Sequence, residues 1–276
     1  MSTAEVIEQN VPRGTFQSMA KTIAVCNQKG GVGKSTTAVN VGSYLALSGH
    51  NTLLIDLDPQ GNASTTCCIN RTSIAKDIYQ VLVNGAPAVD AVVQTAIPRL
   101  NIIPSTLDLA GAEAYLADVE GREFMLRRAC EPLKSQYEFI IIDCPPSLGG
   151  LTINALSAAD STLIPVQCEY LALEGLSSLM QAVGLIKKNL NPDLKVGGIV
   201  LTMTDFRANL AREVADEVKR FFKELVFATA IPRNIRLAES PSFGKPICLY
   251  DPNSTGAIAY RLLTQEVMLK ELGGAS

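Results

Sequence analysis

Two lysines five residues apart stand in one glycine-rich turn, the run NQKGGVGKSTT from Asn27 to Thr37. It follows an apolar run, KTIAVCNQ (21–28), and opens a stretch with helical spacing, STTAVNVGSYLAL (35–47). A glycine loop between a strand and a helix is the context of a phosphate cradle. Glycines at 30, 31 and 33 let backbone N–H groups close on anionic oxygens. The helix N-terminus adds positive potential at the same point. Gln28, Lys29, Gly30, Gly31, Val32, Gly33, Lys34, Ser35 and Thr36 therefore form the candidate nucleotide-phosphate site. Lys34 reaches the terminal phosphates, and the Ser35 hydroxyl is the hard oxygen donor that Mg²⁺ prefers.

Three carboxylates complete the pattern. YEFIIIDCPP (137–146) runs four apolar residues into Asp143 and then stops at two prolines. An aspartate at such a strand tip can hold a Mg²⁺-bound water near the loop serine. IDLDPQGN (55–62) supplies Asp56 and Asp58, which period-2 alternation places on one face or with Asp58 just beyond the strand. Asp58 is the candidate for orienting an attacking water, with Asp56 nearer the metal. The competing role for both is a turn cap before Pro59. The metal set is then Ser35, Asp56 and Asp143, and the catalytic set Lys29, Lys34 and Asp58. Chemistry built this way works by positioning and charge neutralisation.

Lys29 is the unusual member. A standard phosphate loop begins with glycine six residues before its lysine; Gln28 holds that place here and Lys29 follows. A long cation on the near side of the loop is directed away from the nucleotide its own loop holds. Beside two glycines it is placed to reach the phosphates of another subunit.

The elements that must position these residues alternate along the chain. Apolar strand runs are expected at 21–28, 51–58, 100–106, 137–146, 161–167, 195–205 and 226–234, with helices between them and a terminal helix at 254–271. This is the α/β pattern of a single doubly wound, mostly parallel sheet flanked by helices. Lys34, Asp58, Asp143, Asp205 and Asn234 all fall at carboxyl ends of strands, where ligands bind in such sheets. Of 276 residues, 47% are hydrophobic, enough for one large core. Residues 1–20 read as a polar flexible leader and 21–276 as one domain.

Seven cysteines with no CxxC pair exclude a disulfide framework and a zinc site. An iron–sulfur bridge would need a companion for Cys144, and none is evident. No secretory signal and no apolar run long enough to span a bilayer are present, so a cytoplasmic protein with no membrane partner is expected. Net charge is −3, but residues 181–276 carry 13 Lys/Arg against 10 Asp/Glu. Any basic face lies in that third.

Taken together, KGGVGKST, IDLDPQGN, IIIDCPPSLG, PVQCEYLALEGL, LTMTDFR and IPRNIRLAESPSFGKPI resemble the ParA (Soj-type) partition ATPases of the deviant-Walker group of P-loop NTPases. The resemblance runs from about residue 21 to 270. It implies ATP and Mg²⁺ as ligands and a sandwich homodimer in which Lys29 crosses to the partner's ATP. It implies non-specific binding to double-stranded DNA, hence nucleoid association, and slow hydrolysis stimulated by a ParB-type partner. It places the adenine against Met203 or Thr204 and against Pro232, Arg233 and Asn234. It assigns DNA contacts to Arg207 and Arg236; Lys219, Arg220 and Lys223 are further basic residues in the same third. An ordinary solvated helix face is the other account of these last three. The chain departs from the common DART pattern at DFRA, with Phe206 and Ala208, while Arg207 keeps the arginine place. The alternative is a MinD-like membrane-surface ATPase. That reading needs a basic amphipathic C-terminal helix, whereas LLTQEVMLKELGGAS has one lysine and two glutamates.

Overall fold

The computed structural model describes residues 20–169, 172–205 and 207–273. The expected leader, apart from Ala20, and Phe206 lie outside the described residues. Seven strands form one sheet: β1 (Lys21–Val25), β2 (Thr52–Asp56), β3 (Val93–Gln94), β4 (Leu100–Ile103), β5 (Phe139–Asp143), β6 (Ser161–Gln167) and β7 (Lys195–Thr202). Their order is β3-β4-β2-β5-β1-β6-β7, parallel except for β3 against β4. The helices are α1 (Lys34–Leu47), α2 (Asn62–Thr66), α3 (Ile78–Leu82), α4 (Ala112–Leu116), α5 (Met125–Cys130), α6 (Gly150–Ala158), α7 (Ala172–Asn189), α8 (Asn209–Phe222), α9 (Ile235–Glu239), α10 (Ile247–Tyr250) and α11 (Thr255–Leu272).

The central strands are buried on both faces because their side chains alternate between two apolar layers. Ile140 and Ile142 of β5 pack with Ile55, Ile164 and Leu201 beneath α5, α6, α7 and α8. Phe139 and Ile141 turn the other way, into a layer with Leu54, Leu163 and Val200 under α1 and α11. Val214, Ala215 and Val218 form the buried stripe of the amphipathic α8. Tyr260, Leu263 and Val267 do the same for α11.

Register brings the acids together. Within the sheet β5 lies between β1 and β2, so Asp143 is level with Val25 on one side and Asp56 on the other. The loop after β1 therefore emerges directly over both carboxylates.

One expected strand is absent. Residues 226–234 make two isolated parallel bridges, Val226 with Ile199 of β7 and Pro232 with Thr204 just beyond it. Phe227 N donates to Ile199 O and Ile231 N to Leu201 O, but the N–H groups of Ala228 and Thr229 go to the Glu266 carboxylate on α11. A ladder cannot propagate through donors already taken by a side chain, nor through Pro232, which has none. The two-residue β3 carries too short a pattern for periodicity to register.

Candidate active site

The loop between β1 and α1 is tied to the sheet on two sides. Asn27 Nδ2 donates to Pro165 O at 2.7 Å, while its Oδ1 accepts from Lys29 N at 3.0 Å. Thr202 Oγ1 donates to Val32 O at 2.9 Å. The strands on that flank thus hold both halves of the turn. Gly31 and Gly33 have φ of 76° and 88°, the left-handed region that L side chains rarely adopt.

Lys34 is buried, and its Nζ folds back to donate to Lys29 O at 3.1 Å. Burial lowers its pKa; the carboxylates of Asp143 and Asp58 oppose that shift. The ammonium is fixed at the rim of the cradle, where an anionic phosphate oxygen would restore the solvation that burial removed.

Beneath it, Asp143 has no exposure, and neither carboxylate oxygen has a hydrogen-bond partner among the described residues. Burial pushes its pKa well above the usual carboxylate value, and neighbouring Asp56 adds to the shift. The Ser35 hydroxyl is close enough to oppose this without closing a hydrogen bond of normal geometry. A buried carboxylate with free oxygens beside a serine hydroxyl suits a hydrated divalent cation. No group of three or more His, Cys, Asp or Glu side chains is placed to hold a metal ion by itself among the described residues. A cation held there would keep several waters, as Mg²⁺ does.

Asp56 differs. Its Oδ2 accepts from Ser64 N at 2.8 Å and Ser64 Oγ at 2.6 Å, and its Oδ1 from Asp58 N at 3.3 Å. Burial pushes its pKa up to about 6 despite these bonds. The sequence places Asp56 nearer the metal; in the structure Asp143 has the free oxygens, while both Asp56 oxygens accept hydrogen bonds. Asp58 sits beyond the strand, almost buried, with Oδ1 accepting from Gln60 N at 2.9 Å.

Two cavities meet at this loop. One, of about 300 Å³, is lined by Gly30, Gly31, Gly33, Lys34, Ser35, Thr36 and Asp58, together with Gln60, Asn62, Thr66, Pro146, Met203 and Pro241. The other, of about 180 Å³, shares Gly33, Thr36 and Met203 and adds Thr202, Ile231, Pro232, Arg233, Asn234, Leu237, Ala238 and Tyr260. A mixed, more open pocket that leads into a more enclosed and more apolar one has the form of a phosphate site joined to a base site. Met203, at the junction, has φ of 51°, a strained conformation for a non-glycine residue. Thr204 and Arg233 hold the second pocket's walls together, Arg233 N donating to Thr204 O at 3.1 Å. The Asn234 side chain is engaged within the fold: Oδ1 accepts from Leu237 N at 3.1 Å and Nδ2 donates to Thr255 Oγ1 at 2.8 Å.

An AAA domain family model matches residues 20–196. Over 249 residues the chain is 53% identical to the sporulation initiation inhibitor protein Soj of Bacillus subtilis, covering 90% of this chain and 98% of that one. It is 52% identical to the chromosome partitioning protein ParA of Myxococcus xanthus over 256 residues, covering 93% and 90%. The chain belongs to the ParA/Soj family. A crystal structure of cobyrinic acid a,c-diamide synthase from Mycobacterium smegmatis, with a bound ATP analogue and magnesium, shares the fold. Its TM-score is 0.81 at 36% identity, covering 92% of this chain and 97% of that one. The seven-stranded sheet is thus that of a P-loop NTPase of the ParA/MinD type.

As a ParA/Soj protein, this chain has a second lysine whose placement is informative. Lys29 is absent from the cavity lining, and its Nζ reaches Glu169 Oε2 at 2.6 Å, beyond the end of β6. Both side chains are roughly half exposed. The basic residues are exposed too. Arg207 forms a two-pronged pair with Asp205, at 2.8 and 2.7 Å, which pulls Asp205 down to about 2. Arg236 lies 3.1 Å from Glu239 and 3.4 Å from Asp251. Arg220 lies 3.6 Å from Glu217, and Lys219 and Lys223 are exposed at the end of α8.

Several lining residues escaped the sequence reading. Gln60 and Asn62 stand in the same IDLDPQGN run as Asp58 and could have been found there. Pro241 stands in the run IPRNIRLAESPSFGKPI, and Tyr260 had no local signal. Tyr260 reaches the site from the middle of α11, its hydroxyl 3.1 Å from Thr37 Oγ1.

Proposed function

We propose that this protein is an ATP-dependent dimerising switch that binds DNA without sequence preference and hydrolyses ATP slowly until a ParB-type partner stimulates it. In the family's terms its task is chromosome or plasmid segregation. The observation that carries the reading is the divergence of two lysines from one loop: Lys34 turns into the cradle and Lys29 turns out of it.

ATP occupies the two joined cavities, with its phosphates on the loop and its base against Met203, Pro232, Arg233 and the Asn234 backbone. Ser35 and Asp143 would hold Mg²⁺, which would supply charge neutralisation at the terminal phosphates. The bound ATP analogue and magnesium in the M. smegmatis enzyme support ATP and Mg²⁺ as the ligands. Asp56 holds Ser64 and raises the negative potential beside Asp143 rather than ligating directly. Asp58 accepts a proton or hydrogen bond from the attacking water and orients it. Lys34 and the backbone N–H groups balance the growing phosphate charge. Lys29, in exchanging Glu169 for the phosphates of a facing protomer, makes two nucleotides part of the dimer interface.

The dimer brings together two copies of a modest basic surface: Arg207, Arg236, Lys219, Arg220 and Lys223. Paired copies multiply the phosphate contacts, so ATP controls DNA affinity through assembly. The membrane-surface alternative has less support. The apolar stripe of α11 is occupied against the core through Tyr260, Leu263 and Val267. No helix among the described residues is long and apolar enough to cross a membrane.

The test is hydrolysis and DNA retention measured together. Purified protein with Mg²⁺-ATP retains random-sequence duplex DNA, and ADP releases it. Equal retention with ATP, ADP or no nucleotide contradicts the switch.

A further inference from the structure

Arg71 belongs to none of the motifs above, yet its guanidinium holds the segment that carries Asp58. NH1 donates to Gln60 O at 2.7 Å, NH2 to Pro59 O at 2.9 Å and Nε to Ser105 O at 2.8 Å. All three acceptors are backbone carbonyls. Pro59 and Gln60 are the residues directly after Asp58, and Ser105 stands just beyond β4. Ser105 is itself wired to the acids: its N–H donates to Ser64 Oγ at 3.1 Å, and Ser64 Oγ donates to Asp56 at 2.6 Å.

The turn is shaped to receive this side chain. Gly61 closes it by donating to Asp58 O at 2.9 Å and has φ of 65°. A Cβ on Gly61 would stand 2.2 Å from Arg71 Cζ. Glycine leaves the face on which the guanidinium lies. The carboxylate of Asp58 is set by the same turn, through Gln60 N at 2.9 Å. Only a rigid planar fork with separate donors can reach two consecutive carbonyls and a third on another loop; an ammonium on a flexible stem cannot.

We infer that Arg71 is a positioning residue for ATP hydrolysis. It fixes the Asp58–Gly61 turn so that the Asp58 carboxylate faces the terminal phosphate, without itself touching nucleotide. The inference rests on the proposed hydrolysis at this site. A misplacement of about 1 Å in such a group lowers the rate on the order of 100-fold while leaving ground-state binding nearly intact.

The experiment compares full-length wild type, Arg71→Ala, Arg71→Lys, Asp58→Ala and the Arg71→Ala/Asp58→Ala double variant. Readouts are kcat and KM for Mg²⁺-ATP, affinity for a ribose-labelled fluorescent ATP, and melting temperature. Arg71→Ala is expected to lower kcat by 10- to 100-fold with KM and affinity within about threefold. Arg71→Lys, which keeps the charge and part of the contact, falls between. In the Asp58→Ala background, Arg71→Ala costs nothing further in rate, because it acts through Asp58. A soluble Arg71→Ala with wild-type kcat, or one that loses affinity in step with rate, overturns the inference. If the alanine variant does not fold, Arg71→Lys decides. A lowered kcat at wild-type affinity and melting temperature supports the role, and an unchanged kcat refutes it. Wild type that hydrolyses no ATP removes the functional reading and this inference with it; turnover in wild type matched by Arg71→Ala removes this inference alone.

Discussion

Lys29 and Lys34 leave one loop in opposite directions, yet touch through the backbone. Lys34 Nζ lies 3.1 Å from the carbonyl oxygen of Lys29, while Lys29 Nζ lies 2.6 Å from Glu169 Oε2 on the outer side. One cation is thus turned into the cradle and the other lies at the surface. The Lys29–Glu169 pair is about half exposed, and such pairs are worth roughly 0–1 kcal/mol. Exchanging a carboxylate for a triphosphate on a facing protomer therefore costs little.

Removing the Asp58 carboxylate should separate binding from turnover. Asp58 accepts hydrogen bonds from its own turn and lies in the phosphate cavity without ligating the loop. Asp58→Ala is expected to lower ATP hydrolysis by about 100-fold or more with ATP affinity within a few-fold of wild type. Phosphate release and equilibrium nucleotide binding on the same preparation check this.

The buried acid pair makes nucleotide-free stability depend on pH. Burial raises the pKa of Asp56 to about 6 and of Asp143 well above its usual value, so the folded state binds protons that the unfolded chain releases. That contribution is complete below the unfolded value of about 4 and is lost as pH rises through the folded values. The nucleotide-free protein should therefore be less stable at pH 7.5 than at pH 5. Mg²⁺-ATP should restore more stability at pH 7.5 than at pH 5. Asp143→Asn should flatten the pH dependence and abolish the Mg²⁺ component of the stabilisation. Parallel melting curves with and without Mg²⁺ read both effects.

DNA affinity should depend on arginines that are now held by acids. Arg207 is paired to Asp205 and Arg236 to Glu239 and Asp251, so on the proposed binding each would exchange a carboxylate for a phosphate. The Arg207→Ala/Arg236→Ala variant should keep ATP binding and dimerisation. It should lose DNA affinity at least tenfold at physiological salt. The log–log salt slope should shrink by about 0.9 for each phosphate contact removed. Fluorescence anisotropy of a random duplex across a salt series measures the two quantities together.

Local chemistry was legible in the sequence wherever it is written in consecutive residues. The cradle follows from glycines at 30, 31 and 33 between an apolar run and a helical one, and the sheet from uninterrupted runs such as FIIID. What escaped depends on distant partners. Residues 226–234 have strand-like composition, but Glu266, more than thirty residues on, takes the donors that a strand would need. Tyr260 reaches Thr37 from the opposite end of the chain. That Ser64 donates twice to Asp56 Oδ2 could not be read from the run IDLDPQGN. No periodicity or spacing encodes such pairings, because they are set when the elements pack.

The central claim is that Lys29 acts across a dimer, and the measurement is molar mass in solution by light scattering. It is taken with ATP, with ADP and without nucleotide, on wild type, Lys29→Gln and Asp58→Ala. The account predicts that wild type dimerises only with ATP, that Asp58→Ala accumulates as a long-lived ATP dimer, and that Lys29→Gln binds ATP yet fails to form the competent dimer. A Lys29→Gln protein that dimerises and turns over as wild type does, or a wild type that stays monomeric with ATP, would contradict it.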